Sequence, residues 1–290
     1  SNFTNNSFST PPRWGMVSPQ EIERVDVIYG PFSALYPGNS LSGIVLMTTR
    51  MPDRFEAHAK VDAFGEHFKL YGSDKEFAGW HSSAAVGDRF GDWSLWMGGD
   101  HLDNKSHPMT FGNATRKTTP GAAGAGTFTV VDSARLFRDI DTTGQPPIIT
   151  SSLGIDHTVQ EHGKFKVAYD LAPSVRATYT LGVWQNTSEG SVDSYLRDAT
   201  GRTIYSAGST IANPLKFVRI DGLDYTVTQA APSRSESEHW MQGLSLKSNT
   251  RGEWDWEAIA SDYTQDRDRV RTAAQTHGYD SGLGAVRVPG

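Results

Sequence analysis

The chain has 290 residues, of which 37% are hydrophobic and 21% charged, and its formal net charge is -6 at neutral pH. That negative balance argues against nucleic acid as a partner, since such binding needs a basic face, and the lack of cysteine removes disulfide frameworks, thiolate catalysis and thiolate metal sites. No stretch is apolar enough for a membrane helix, so a membrane reading must be a reading of strands closed into a barrel, the other architecture that satisfies every backbone group in lipid.

The chain opens on SNFTNNSFSTPPRWG, which lacks the charged, apolar and small-residue succession of a secretion signal. From Glu21 to Arg50 it then packs two strands and two turns. Val25, Val27 and Tyr29 alternate with Arg24, Asp26 and Ile28, which predicts a strand that Gly30-Pro31 stops. Ser33 to Tyr36 fits one helical turn, Pro37-Gly38-Asn39 turns the chain again, and GIVLMTT from Gly43 to Thr49 predicts a buried strand. Further on, KFKVAYDL from Lys164 to Leu171 puts Phe165, Val167, Tyr169 and Leu171 on one side and Lys164, Lys166, Ala168 and Asp170 on the other. After Ala172-Pro173-Ser174, Val175, Ala177, Tyr179, Leu181 and Val183 again share a side, and beyond Gly252 the same alternation sets Trp254, Trp256, Ala258 and Ala260 against Glu253, Asp255 and Glu257.

Seven strands are predicted in this stretch: Phe55 to His67, Phe77 to Gly87, Trp93 to Asp103, Gly163 to Leu171, Val175 to Ser188, His239 to Asn249 and Glu253 to Asp266. Val175 to Trp184 is long enough to cross a membrane at a tilt, which takes roughly 9 to 11 residues. Connections at Asp88 to Asp92, Ala172 to Ser174 and Thr250 to Gly252 are short, whereas Lys105 to about Gln160 and Glu189 to about Glu236 are long, polar and rich in Gly, Ser, Thr and Pro. Short turns at one end and long loops at the other are the habit of outer-membrane barrels. Phe90, Trp93, Tyr169, Trp254 and Trp256 gather near the short turns, as an interfacial girdle would.

The block from Ile22 to Arg50 closely resembles the end of the plug domain of TonB-dependent outer-membrane receptors, in Ile22, Glu23, Arg24, Val25, Asp26, Val27, Gly30, Pro31, Ser33, Tyr36, Gly43, Ile44, Thr49 and Arg50. It departs from the family pattern at Tyr29, where a basic residue is usual, at Pro37, which precedes the glycine, and at Leu46, where asparagine is common. The resemblance implies a mainly β fold in which residues 1–52 are the closing part of a plug and residues 53–290 the opening strands, about seven of some twenty-two, of a transmembrane β-barrel. The chain is expected to be a fragment, since no short hydrophobic box for TonB precedes the plug block and VRVPG lacks a terminal aromatic.

Signals for chemistry are sparse. GAAGAG at Gly121 to Gly126 lacks a phosphate-loop lysine and reads as a flexible loop. Glu253, Asp255 and Glu257 are spaced as one side of a strand, so a lumen wall is the plainer account than acid-base work. His101, His107, His157 and His162 flank one long loop and would make a metal site only by meeting at its base. No catalytic residue, metal or cofactor is expected. The resemblance implies active import across the cell outer membrane, with TonB as the energy-transducing partner, a ferric siderophore or other metal chelate as cargo, and lipid around the wall. Tyr36, Pro37, Gly38 and Asn39 are the candidate ligand contacts at the plug apex, with Phe111, Phe128, Phe137 and Tyr195 as loop aromatics able to stack on a ligand. Glu23 and Arg24 are the candidate latch between plug and wall. The competing reading is a soluble or secreted β-rich protein that binds a ligand or serves structure without transport.

Overall fold

The computed structural model describes residues 15–29, 43–116, 129–140, 144, 147–204, 217–228, 230, 232–250 and 252–272. Among them the protein is mainly β, with no α-helix. The strands are β1 (Ile22–Tyr29), β2 (Gly43–Thr49), β3 (Glu56–Leu70), β4 (Ser73–Phe90), β5 (Trp93–Lys105), β6 (Thr110–Arg116), β7 (Thr129–Val130), β8 (Phe137–Arg138), β9 (Ile148–Ala172), β10 (Val175–Ser194), β11 (Phe217–Ile220), β12 (Leu223–Val227), β13 (Ser233–Ser248) and β14 (Glu257–Thr272).

β1 and β2 pair antiparallel as a separate sheet, with Val25 opposite Met47 and Val27 opposite Val45. The expected helical turn and the residues Tyr36, Pro37, Gly38 and Asn39 lie outside the described residues. β2 is less buried than its composition suggests: Val45 and Leu46 are exposed, because β1 is its one strand partner among the described residues and neither face is fully covered.

The second sheet runs β3-β4-β5-β9-β10-β13-β14, each strand antiparallel to its neighbour. These are the seven predicted strands, but several extend well past their expected ends. β9 begins at Ile148 rather than Gly163, β10 continues to Ser194, and β13 begins at Ser233. The long connections are correspondingly not plain loops. β6 and β8 pair with the early part of β9, β12 pairs with β6, β11 with β12, and β7 lies parallel to β11. Their shared core holds Ala114, Val131, Ile148, Leu196, Ile204, Val218, Ile220, Tyr225 and Val227. Apolar residues scattered thinly through two polar segments thus meet only because both segments fold onto the same end of β9. The β11 to β12 turn is Asp221-Gly222, both with positive φ, as a two-residue hairpin loop demands.

β14 starts at Glu257, four residues later than expected. Asp255 causes the delay, since its carboxylate accepts hydrogen bonds from the Thr250 N–H at 2.7 Å and the Thr250 hydroxyl at 3.0 Å and so ties the end of β13 to the residues just ahead of β14. Trp254 and Trp256 therefore project ahead of the strand, 84% and 51% exposed.

Residues directly opposite each other across a sheet share a face. One face carries Leu95, Val167, Tyr179, Leu244 and Ala260 in one cross-strand row and Val86, Met97, Phe165 and Leu181 in the next. This apolar face is the open one: Met97 is 58% exposed and Leu244 48%. Gln242 and Asp262 interrupt it, with Tyr179 donating to Gln242 and Thr264 to Asp262. The opposite face is polar and is the covered one, with His162, Lys164, Lys166 and His239 all buried. A globular sheet puts its greasy side inward; this sheet does the reverse.

Candidate functional site

The polar face is covered in part by the segment leading into β1. Ser18 ends the extended chain and Pro19-Gln20-Glu21 forms a single tight turn, in which the Glu21 side chain reaches back to accept from the Ser18 N–H at 3.1 Å. This reciprocal cap turns the Glu21 carboxylate towards the sheet, where it is 0% exposed. Two ammonium groups meet it there. Lys164 pairs with one carboxylate oxygen and Lys166 lies 3.3 Å from the other.

The spacing of the lysines makes this possible, because residues two apart on β9 point to the same side. Room for them comes from glycines. Gly98 and Gly182 flank Lys164 on the neighbouring strands, and a Cβ at Gly98 would lie 2.7 Å from the Trp96 ring, while one at Gly182 would lie 3.2 Å from the end of Met16. One carboxylate does not neutralise two ammoniums, and backbone carbonyls make up part of the difference. Lys164 also donates to the Met16 carbonyl, and Lys166 donates to the Arg50 carbonyl at 2.8 Å with its ammonium 4.5 Å from the centre of the Trp96 ring. The Arg50 N–H in turn donates to the Glu21 carbonyl at 2.9 Å. Both ends of the hairpin are therefore tied to one point on β9. Beside it, Met16 packs against Trp184, Met241 and Tyr263.

Glu23 and Arg24 face elsewhere. Both are exposed, and Arg24 is paired 2.8 Å from Asp26 on its own strand. The buried contact between hairpin and sheet is made two residues earlier, by Glu21. A signal for it existed in the sequence: Ser18-Pro19-Gln20-Glu21 has the spacing of a capping box, and two lysines alternate with apolar residues in Lys164 to Val167. What the sequence lacked was any indication that the two segments meet.

The same polar face carries a row of ring and carboxylate groups. Asp62, His81, Asp100 and His162 run across β3, β4, β5 and β9, with His81 3.7 Å and His162 3.1 Å from Asp100. His239 and Tyr263 continue it on β13 and β14, 2.6 Å apart. The four histidines flanking the long loop do not converge. His101 is beside Glu161, His107 stacks on Phe68 beside Glu66, His157 is 2.8 Å from Asp103, and His162 faces the other side of the sheet. No group of three metal-ligating side chains occurs among the described residues. Of the loop aromatics, Phe111, Phe137 and Tyr195 come together around Tyr71, with ring separations of 4.8 to 5.8 Å, and so act on one another as anchors; Phe128 and Gly121 to Gly126 lie outside the described residues. Asp255 serves its turn, and the Thr250 N–H it accepts from holds its carboxyl below the ordinary carboxylate range.

Neither a protein-family model, nor a curated protein, nor a solved structure matches this chain.

Proposed function

We propose that the chain is part of a TonB-dependent receptor of the cell outer membrane, in which β1 and β2 close the plug and the seven-stranded sheet opens the wall of a transmembrane barrel. The observation that carries this reading is the inverted sidedness of the sheet, with its apolar face open, His162 and His239 buried on the opposite face, and Lys164 and Lys166 buried there beneath the segment that leads into β1. Val175 to Val183, all apolar on the open side, rises roughly 20 Å at about 3.3 Å per residue and a tilt near 45°, close to the band of about 25 Å that such barrels present to lipid. Trp93 and Tyr169, 4.5 Å apart, lie at the end of that band nearest the short turns, and Trp240 lies towards the other.

On this reading Glu21 with Lys164 and Lys166 is the latch that TonB's pull has to release. It lies at the base of the hairpin, and a cavity of about 360 Å³ separates Val45 and Met47 of β2 from Thr178, Thr180 and Gly243 of the wall. The ties to the sheet are thus gathered at the base of the hairpin, around Glu21, Met16 and Arg50, where a pull on the N-terminal segment would act first. No bond to the cargo is made or broken; the work is mechanical. A ferric siderophore is the proposed cargo, from the resemblance of the plug block alone. Uptake of radiolabelled ferric chelates by cells carrying the full-length receptor, with and without functional TonB, tests the reading. Uptake that depends on both supports it, and uptake of no chelate above that of receptor-free cells would reject it.

A further inference from the structure

The open face of the sheet is not apolar along its whole width. The cross-strand row that carries Ala57, Val86, Met97, Phe165 and Leu181 ends in Gln242 on β13 and Asp262 on β14. Both are exposed, and the rows on either side of them return to Leu244 with Ala260 and to Trp240 with Thr264. The polar pair therefore stands inside the band and not at its edge. A carboxylate at that depth in hydrocarbon is costly unless it is paired. The chain itself pairs it only in part. Asp262 accepts from the Thr264 hydroxyl at 3.2 Å through one oxygen, and the Gln242 carbonyl oxygen accepts from the Tyr179 hydroxyl at 3.4 Å. The Gln242 amide N–H groups and the second Asp262 oxygen have no hydrogen-bond partner among the described residues.

We propose that a second copy of the chain covers this patch, in a two-fold dimer within the membrane whose axis runs along the membrane normal beside Gln242 and Asp262; the inference rests on the membrane reading above. A two-fold interface requires a self-complementary surface, on which residue i meets j and j meets i. An amide donor next to a carboxylate acceptor is such a surface: the Gln242 amide of one copy donates to the Asp262 carboxylate of its partner, and the reverse contact follows by symmetry. Such an axis preserves height, and neighbouring strands at a tilt near 45° separate the two residues by roughly 3 Å along the normal, a distance that a glutamine side chain spans. Ala258 and Ala260 precede Asp262 on the same side of β14, and small side chains let two backbones approach closely. The part of the row on β3, β4, β5 and β9 offers no polar group and is left to lipid.

The test uses a cysteine-free full-length receptor in native outer-membrane vesicles, with A260C placing a thiol beside the axis and A84C placing one on β4, at the far side of the same face. With an added oxidant, A260C is expected to form a disulfide dimer about tenfold more than A84C, since the dimer raises the effective concentration of the two thiols. Adding Q242L/D262L is expected to bring A260C down to the A84C level. Cross-linking of A260C no greater than that of A84C overturns the proposal, and so does its cross-linking to a protein of another mass. Undiminished cross-linking in the presence of Q242L/D262L overturns it as well, because the two side chains would then not hold the copies together. A charged, water-soluble maleimide separates the layers. A84C shielded from it in the vesicles, with A260C not cross-linked, removes the dimer and leaves the membrane reading, whereas A84C freely labelled there removes both.

Discussion

Replacing Glu21 by alanine is the sharpest perturbation of the buried contact between hairpin and sheet. Glu21, Lys164 and Lys166 are almost wholly buried, and the carboxylate is the counter-charge for both ammoniums. Removing one member of a buried ion pair costs about 3 to 5 kcal/mol, because the remaining charge is left without compensation. Here the Met16 and Arg50 carbonyls and the Trp96 ring still face the lysines, so the loss is capped in that range despite there being two of them. At 1.4 kcal/mol per factor of ten, local opening of the hairpin base becomes roughly two to three and a half orders of magnitude more frequent. Amide hydrogen exchange at Arg50 reads this directly, since its N–H donates to the Glu21 carbonyl and is released only when the base opens. A set of amides in the middle of β9 and β10 controls for the sheet and is expected not to change. The companion variant E21L/K164M/K166M removes all three charges and is expected to recover most of the protection, as buried ion clusters replaced by apolar groups of similar size commonly do. Protection at Arg50 that falls by less than about fivefold in E21A, a change under about 1 kcal/mol, would refute the reasoning, as would a triple variant less protected than E21A.

Other outcomes follow from the same packing. Gly98→Ala is expected to cost about 1 to 3 kcal/mol by overpacking against Trp96, read as a shift in the denaturation midpoint together with altered Trp96 fluorescence. Ile220→Ala, at a fully buried position in the core joining the two long connections, is expected to cost about 2 to 5 kcal/mol locally and to expose those connections to protease while β9 and β10 stay protected. The Asp255 carboxyl titrates below its unfolded value of 3.8, so its contribution is fully present above that pH and is lost as the pH falls through the lower folded value. Acidification is therefore expected to release the tie between β13 and β14, seen in Trp254 emission, and Asp255→Asn is expected to flatten that acid transition.

Much of the seven-stranded sheet was legible in the sequence, because strand alternation is a local property. Phe165, Val167 and Tyr169 against Lys164, Lys166 and Ala168 declares two faces, and the chemistry of each face needs no knowledge of what lies beyond it. Turn residues are equally local, which is why Gly91 and Pro173-Ser174 mark the turns where they occur. The long connections were not legible. Ile148, Leu196, Val218 and Ile220 have no periodic neighbours to announce a core, and only their assembly at the early end of β9 buries them.

The buried Glu21 contact shows the same division. Ser18 and Glu21 were bound to form a cap, and Lys164 and Lys166 were bound to share a side of one strand. That the cap's carboxylate meets those two ammoniums, and that Arg24 turns away to Asp26, was decided by how the hairpin lies on the sheet. Periodicity fixes which groups travel together along a strand; it carries no information about which distant segment will cover them, and the free energy of a buried charge depends on that cover.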